Sequence, residues 1–415
     1  ENDMPLSQHI LIAGGGHAGA QVAISLRQNG FAGAITIVNR EDALPYERPP
    51  LSKEYLAKER SFERMHIRPA EYWQEKEIEV ATGCEVAAVD PLARRAKLSD
   101  GRELSYGKLV WACGGSPRML ACEGAELRGI HSIRTRSDID AIEAELGETP
   151  KRVGIVGGGY IGLEAAASLR KLGHDVVLLE ALPRVLARVA GEQISQFFAQ
   201  QHIEHGVDLR LDCGVRSFAG SDGHVTNIFL ASGERLACDM AITGIGIVPE
   251  IGALVAAGAE HGNGVKVDRF CHSSLPDIYA IGDCAEHVNP YADGAEIRLE
   301  SVQNAHDMAA TVAKHICGIE EPYTALPWFW SNQYDLKLQT AGLSLGHDEA
   351  VLRGNPADGK FSVVYLKNGI PIAIDCVNSA KDFVQGRRLI EARVAADGQD
   401  LADASRPLKD FLPLG

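Results

Sequence analysis

With 415 residues, the chain has room for two or three domains, each with its own core. It is 45% hydrophobic and 23% charged, and no apolar run approaches the roughly 18 residues a membrane helix needs. A formal net charge of −15 argues against nucleic acid or an anionic membrane as the main partner.

The opening "ENDMPLSQHILIAGGG" has no basic region and passes from a short polar tail into a strand-like run. It does not read as a signal peptide, and Met4 is the expected start of translation. Next comes Gly14-x-Gly16-x-x-Gly19 and a helix-like segment. In a dinucleotide fold one glycine permits the tight turn, one lets the backbone approach a pyrophosphate, and one lets helix and strand pack closely. The helix N-terminus then offers free N–H groups to the phosphates. "RVGIVGGGYIGLEAAASL" repeats the arrangement with Gly157, Gly159 and Gly162. The two motifs lie 143 residues apart, too far for two halves of one sheet, so two separate dinucleotide domains are expected.

In such a unit the second strand should end in an acid that holds a ribose hydroxyl. "DVVLLEALPR" supplies Glu180, whose charge would repel a 2′-phosphate and so favours NADH; Arg184 and Arg188 stand nearby. The corresponding strand of the first unit, "AITIV", ends at Asn39, with Glu41 two residues on.

Further stretches carry a resemblance. "LPYERPPLSKEYL" (44–56) contains Arg48 and Lys53, "LVWACGGSPR" (109–118) looks like a crossing between nucleotide domains, and "DIYAIGDCA" (277–285) ends a strand at Gly282-Asp283, before an expected helix. "RLESVQNA" (298–305), "PWFWSNQY" (327–334), "DFVQGRR" (382–388) and "PLKDF" (407–411) complete the set. Together they resemble the FAD-dependent pyridine nucleotide-disulfide oxidoreductase superfamily over essentially the whole chain. Within it they are most similar to the ferredoxin reductase branch, the group of putidaredoxin reductase and its relatives.

The resemblance implies an α/β protein with two Rossmann-like, glutathione-reductase-like dinucleotide domains and a small C-terminal α/β domain. The expected boundaries are 1–118 with 247–325 for FAD, 119–246 for NADH, and 326–415 for ferredoxin docking. It places FAD in the first cradle (Gly14, Gly16, Gly19, Asn39, Glu41), with Asp283 on the ribityl chain. Arg48 and Arg134 would lie near the adenine dinucleotide, Lys53 near the flavin ring, and the helix starting at Ser301 and Val302 would face flavin N1 and O2. NADH would take Gly157, Gly159, Gly162, Glu164, Glu180 and Arg188. Lys53, Glu164 and Trp330 are the expected catalytic residues, with Glu164 facing the nicotinamide and able to pair with Lys53. The bare residues also allow plainer roles: Glu164 as a first-turn acid, Asp283 as an N-cap, Lys53 as a surface lysine.

The nine cysteines are odd in number and no two stand at CxxC or CxxxxC spacing, so neither a disulfide framework nor a metal site is expected. A reducing cytoplasm is the expected setting. Disulfide reductases of this class use a paired cysteine motif, and peroxide- or oxygen-reducing relatives a single cysteine soon after the first domain's second strand; neither is here. Cys113 and Cys284 are expected to be packing residues. One-electron delivery to an external [2Fe–2S] ferredoxin serving a monooxygenase or dioxygenase remains, with rubredoxin as the alternative carrier. A signalling flavoprotein like apoptosis-inducing factor would favour basic patches and a targeting segment.

From about residue 326 a smaller α/β domain is expected, with "FSVVYLKNGIPIAIDCV" as two strands around Lys367-Asn368-Gly369. Trp328 is expected in the core. Trp330 is expected over the flavin on the ferredoxin-facing surface, unless it only packs an interface. Residues 326–415 carry 10 Lys and Arg against 11 Asp and Glu, a nearly neutral face for an acidic ferredoxin. Lys337, Arg387, Arg388 and Lys409 are its candidate cations.

Overall fold

The computed structural model describes residues 8–413; Met4 lies outside the described residues. The chain divides into two compact units, one comprising residues 8–48, 62–116 and 248–328, the other 49–61, 117–247 and 329–413.

The first unit is built on a five-stranded parallel sheet in the order Ile278–Ala280, Lys108–Trp111, His9–Ala13, Ala34–Asn39, Ile78–Thr82. Its central strand reads as a continuous apolar run because both faces are covered, and Ile10, Leu11 and Ile12 are buried. The helix His17–Gln28 follows directly, burying Val22, Ala23, Ile24 and Leu26. After the strand Ile278–Ala280 the chain makes a short 3-10 turn, Gly282–Cys284, then another strand, Ala285–Val288. The helix expected there does not form; Ala285 to His287 pair instead with Val265 to Val267. The helix comes later, Val302–Ile316, capped by Ser301 accepting from Asn304 N–H.

The second unit holds another five-stranded parallel sheet, ordered Asp208–Arg210, Asp175–Leu179, Arg152–Val156, Met240–Thr243, Ile130–Ser132. The helix Tyr160–Lys171 follows its central strand as His17–Gln28 does in the first unit. A further sheet runs Trp328–Gln333, Leu336–Gly342, Ile370–Val377, Lys360–Lys367, Glu349–Asn355. The hairpin at Asn368-Gly369 forms as expected, both residues taking the positive φ (51° and 74°) that a tight turn favours. The segment 49–61, which carries Lys53, clusters with this unit.

Candidate functional site

In the first unit the strand His9–Ala13 delivers the chain into Gly14 at φ +107°, and the helix begins after Gly16 with no side chain capping it. A Cβ on Gly19 would stand 1.9 Å from the Gly14 carbonyl oxygen, so only glycine lets the helix pack against the strand end. At Gly16 an added Cβ would meet only Arg48 Nε, at 3.8 Å. Uncapped helix N–H groups beside open, glycine-lined space and a guanidinium form a cradle that fits a pyrophosphate. Arg48 is fixed by Glu41, its Nη2 lying 2.5 Å from Oε1, while Tyr46 donates to Glu41 Oε2 at 2.6 Å. The Asn39 amide donates to Ala43 O at 2.7 Å and is buried. Asp283 sits in the 3-10 turn, its carbonyl accepting from Arg298 Nη1 at 2.5 Å.

The second cradle repeats this geometry. Gly157 has φ +113°, a Cβ on Gly162 would stand 2.0 Å from Gly157 O, and one on Gly159 would meet nothing within 4 Å. The helix start at Tyr160 again has no side-chain cap. Here the strand-end acid faces the loop: Glu180 Oε2 accepts from Gly158 N–H at 2.7 Å and Oε1 from Leu182 N–H at 2.8 Å. Each oxygen keeps a further lone pair for a ribose hydroxyl. Arg184 is taken up by Ala190 O (2.6 Å) and Ser195 Oγ (2.7 Å), which removes it as a ligand for a 2′-phosphate. Arg188 is exposed. The Arg134 backbone N–H donates to Asp138 in the capping box that starts the helix Arg136–Leu146.

The second unit also brings Lys53 and Glu164 together. Glu164 lies beyond the first turn of Tyr160–Lys171, which holds no acid, so it is not the first-turn acid the bare sequence allowed; it is only 3% exposed, and its oxygens need donors around them. Lys53 Nζ lies 3.2 Å from Oε2, Ser52 Oγ donates to the same oxygen at 2.5 Å, and Ser331 Oγ donates to Oε1 at 2.7 Å. One turn on, Ser168 Oγ donates to Ser52 O at 2.8 Å, so Glu164 and Ser168 grip the 49–61 segment from one helix face. An ion pair this buried is kept by its hydrogen bonds as much as by its Coulomb attraction.

Ser331 belongs to the strand Trp328–Gln333, where burial runs against polarity. Ser331 and Gln333 are buried (0% and 1% exposed), whereas Trp328, expected in the core, is only partly buried, as is Trp330. The polar face turns inward because a buried carboxylate there needs donors. Trp330 stacks on Phe329 with centroids 6.4 Å apart, and Phe329 lies 4.4 Å from Tyr160.

Burial raises the Cys113 thiol well above its ordinary range and pushes Cys284 up to about 12, so neither is a nucleophile near neutral pH. Among the described residues no group of His, Cys, Asp and Glu is arranged to hold a metal ion, and no helix is long and apolar enough to cross a membrane.

A family model described as pyridine nucleotide-disulphide oxidoreductase matches residues 8–309. The chain belongs to that family. A second model, Reductase C-terminal, matches residues 328–412. A ferredoxin–NAD(P)(+) reductase from a Sphingomonas species is 54% identical over 97% of this chain and 97% of its own length. Among solved structures, a ferredoxin reductase from Rhodopseudomonas palustris superposes with TM-score 0.94 at 38% identity, covering 97% of this chain and 99% of that one. The covalent complex of putidaredoxin reductase with putidaredoxin gives TM-score 0.93 at 36% identity, covering 97% of both chains.

Within this family frame, sequence reasoning missed Ser52 and the buried pair Ser331 and Gln333. Ser52 adjoins Lys53 inside an already conspicuous motif. For Ser331 and Gln333 no periodic signal existed: the strand reads three aromatic residues and then three polar ones, so its sequence does not show which of its faces is buried.

Proposed function

We propose that the protein is an FAD-containing, NADH-dependent ferredoxin reductase that supplies single electrons to a [2Fe–2S] ferredoxin serving an oxygenase. The carrying observation is the pair of uncapped glycine cradles, in a chain whose cysteines include no two at CxxC or CxxxxC spacing. A chain able to hold two dinucleotides, with no paired cysteines to take the electrons, suits delivery of those electrons to an outside carrier. The 54% identity to a ferredoxin–NAD(P)(+) reductase supports the same carrier.

Residues 1–118 and 247–325 form the FAD-holding domain, 119–246 the NADH-holding domain and 326–415 the ferredoxin-docking domain. FAD, when bound, accepts the hydride of NADH and releases electrons one at a time. The chain's own residues bind and orient. Gly14, Gly16 and Gly19 admit one pyrophosphate to a helix start, Gly157, Gly159 and Gly162 the other. Arg48, held by Glu41, neutralises phosphate charge, and Asp283 and Val302 line the FAD site. Glu180 accepts from a ribose hydroxyl and repels a 2′-phosphate. Glu164 and Lys53 fix the nicotinamide side as a paired anion and cation. Trp330 marks the electron exit, with Lys337, Arg388 and Lys409, all exposed, available to an acidic carrier.

Trp330→Ala tests the exit. Flavin reduction by NADH should stay within about twofold of the parent, while ferredoxin reduction slows about tenfold, the effect of removing an aromatic interface anchor. Equal slowing of both steps would remove Trp330 from the docking role.

A further inference from the structure

Glu164 is one end of a longer chain of buried hydrogen bonds in the second unit. Gln333 Nε2 donates to Ser331 Oγ at 3.2 Å; Gln333 Oε1 lies 2.9 Å from His202 Nε2; His202 Nδ1 lies 2.9 Å from the Tyr334 hydroxyl. The Tyr334 ring stacks on exposed His205, with centroids 3.7 Å apart. Ser331, Gln333 and His202 are each at most 1% exposed. The chain thus joins three distant parts of the sequence, with 131 positions between His202 and Gln333 and 167 between Glu164 and Ser331.

The carboxylate fixes the polarity of every link. Ser331 Oγ donates to Glu164 Oε1, which spends its single proton. The Ser331 oxygen then accepts from an N–H, which sets the amide of Gln333 with its nitrogen toward Ser331 and its oxygen toward His202. That oxygen only accepts, so His202 carries its proton on Nε2. Burial pushes the ring of His202 down to about 4, leaving it neutral, and its bare Nδ1 accepts from Tyr334. Four donors therefore point one way, toward one buried negative charge, and such aligned bonds polarise one another. A proton does not hop along this row, because passage through Gln333 would require the imidic acid form of its amide.

We propose that Ser331, Gln333 and His202 are positioning residues that hold the Glu164 side chain in one rotamer, and through it hold the Lys53 ammonium in place. This gives the polar side chains beside the two tryptophans a task separate from docking. The functional consequence rests on the NADH reading above, but the polarity of the chain does not.

A double-mutant cycle with anaerobic stopped-flow NADH reduction tests the coupling. Gln333→Met should slow the saturating rate about tenfold, the order expected for a hydrogen-bond row ending on a charge. The NADH concentration at half-saturation should move less than about twofold, since the loss falls on orientation rather than on binding. In a Glu164→Gln background the same substitution should cost less than about twofold, because the group it serves is gone. Ser331→Ala should mimic Gln333→Met, and Ser331→Thr, which keeps the hydroxyl, should restore the rate. An equal penalty from Gln333→Met in both backgrounds, or no recovery with threonine, would overturn the proposal. Imidazole ¹⁵N NMR, assigned with a His202→Gln control, reads the chain without turnover: His202 should be the Nε2–H tautomer in the parent and lose that preference in Gln333→Met. An Nδ1–H tautomer in the parent would refute the polarity. Absence of NADH reduction in the parent would instead refute the NADH reading and leave the tautomer result to decide the chain.

Discussion

In both glycine loops an added Cβ on the third glycine would collide with the first glycine's carbonyl oxygen, at 1.9 Å in residues 14–19 and 2.0 Å in residues 157–162. Both loops enter at a first glycine with φ above +100°, and both start a 12-residue helix without a side-chain cap. They part at the end of the next strand. Asn39 turns its amide to its own loop at Ala43 and leaves Glu41 to hold Arg48, whereas Glu180 clasps Gly158 and Leu182 with both oxygens. The glycine and helix-start geometry is therefore common to both loops. What distinguishes the two loops is the charge presented beside each: a cation at the first, an anion at the second. The second cradle also has a brace. Tyr365 accepts from Gly191 N–H, at the start of the helix Glu192–Glu204, and donates to buried Asp375 on the neighbouring strand.

The largest effects should come from filling the third-glycine positions one cradle at a time. Gly19→Ala should yield protein purified without its flavin. Gly162→Ala should retain flavin absorbance but be reduced by NADH at least about tenfold more slowly, the scale of an overpacked contact. Loss of flavin from both variants would mean the two seats are not separate sites.

Next in size is the strand-end acid. Glu180→Ala should lower the NADH-over-NADPH preference about tenfold, as expected for losing a charged hydrogen-bonding group, while Asn39→Asp should leave that preference alone. An unchanged ratio in Glu180→Ala would put the discrimination elsewhere, with exposed Arg188 the next residue to change.

Much of this contrast was legible in the residues. Glycine spacing, the apolar strands before each loop, Glu180 and the Asn-Gly hairpin all rest on local rules, and each stands where those rules put it. The helix expected after Asp283 failed because strand pairing with Val265 to Val267 overrode a local turn signal. Trp328 was misjudged for a related reason: aromatic residues usually claim the buried face, but here a carboxylate 167 positions away from Ser331 claims it first. A block of three aromatic residues followed by three polar ones does not show which face of the strand a distant carboxylate will take.

The brace behind the second cradle should give the smallest effect and one with a definite sign. Burial pushes the Asp375 carboxyl up to about 7, against about 4 in an unfolded chain. Below the lower value both states hold the proton. Between the two, only the folded state does, so this group's contribution to stability declines as pH rises through that window and stays reduced above it. Asp375→Asn, which can still accept from Tyr365, should flatten that decline and stabilise the protein at about pH 8 by about 1–3 kcal/mol, with little change at about pH 4. Urea midpoints at the two pH values measure it; an unchanged difference between them would show that Asp375 is ionised in the folded protein.

The most direct measurement of the central claim is anaerobic stopped-flow mixing of the NADH-reduced protein with a [2Fe–2S] ferredoxin and, separately, with a rubredoxin, each followed by its own absorbance. Rapid reduction of the ferredoxin is expected, with slow or no reduction of the rubredoxin. Rapid reduction of rubredoxin alone would leave fold and cofactors in place and contradict the assignment of the carrier.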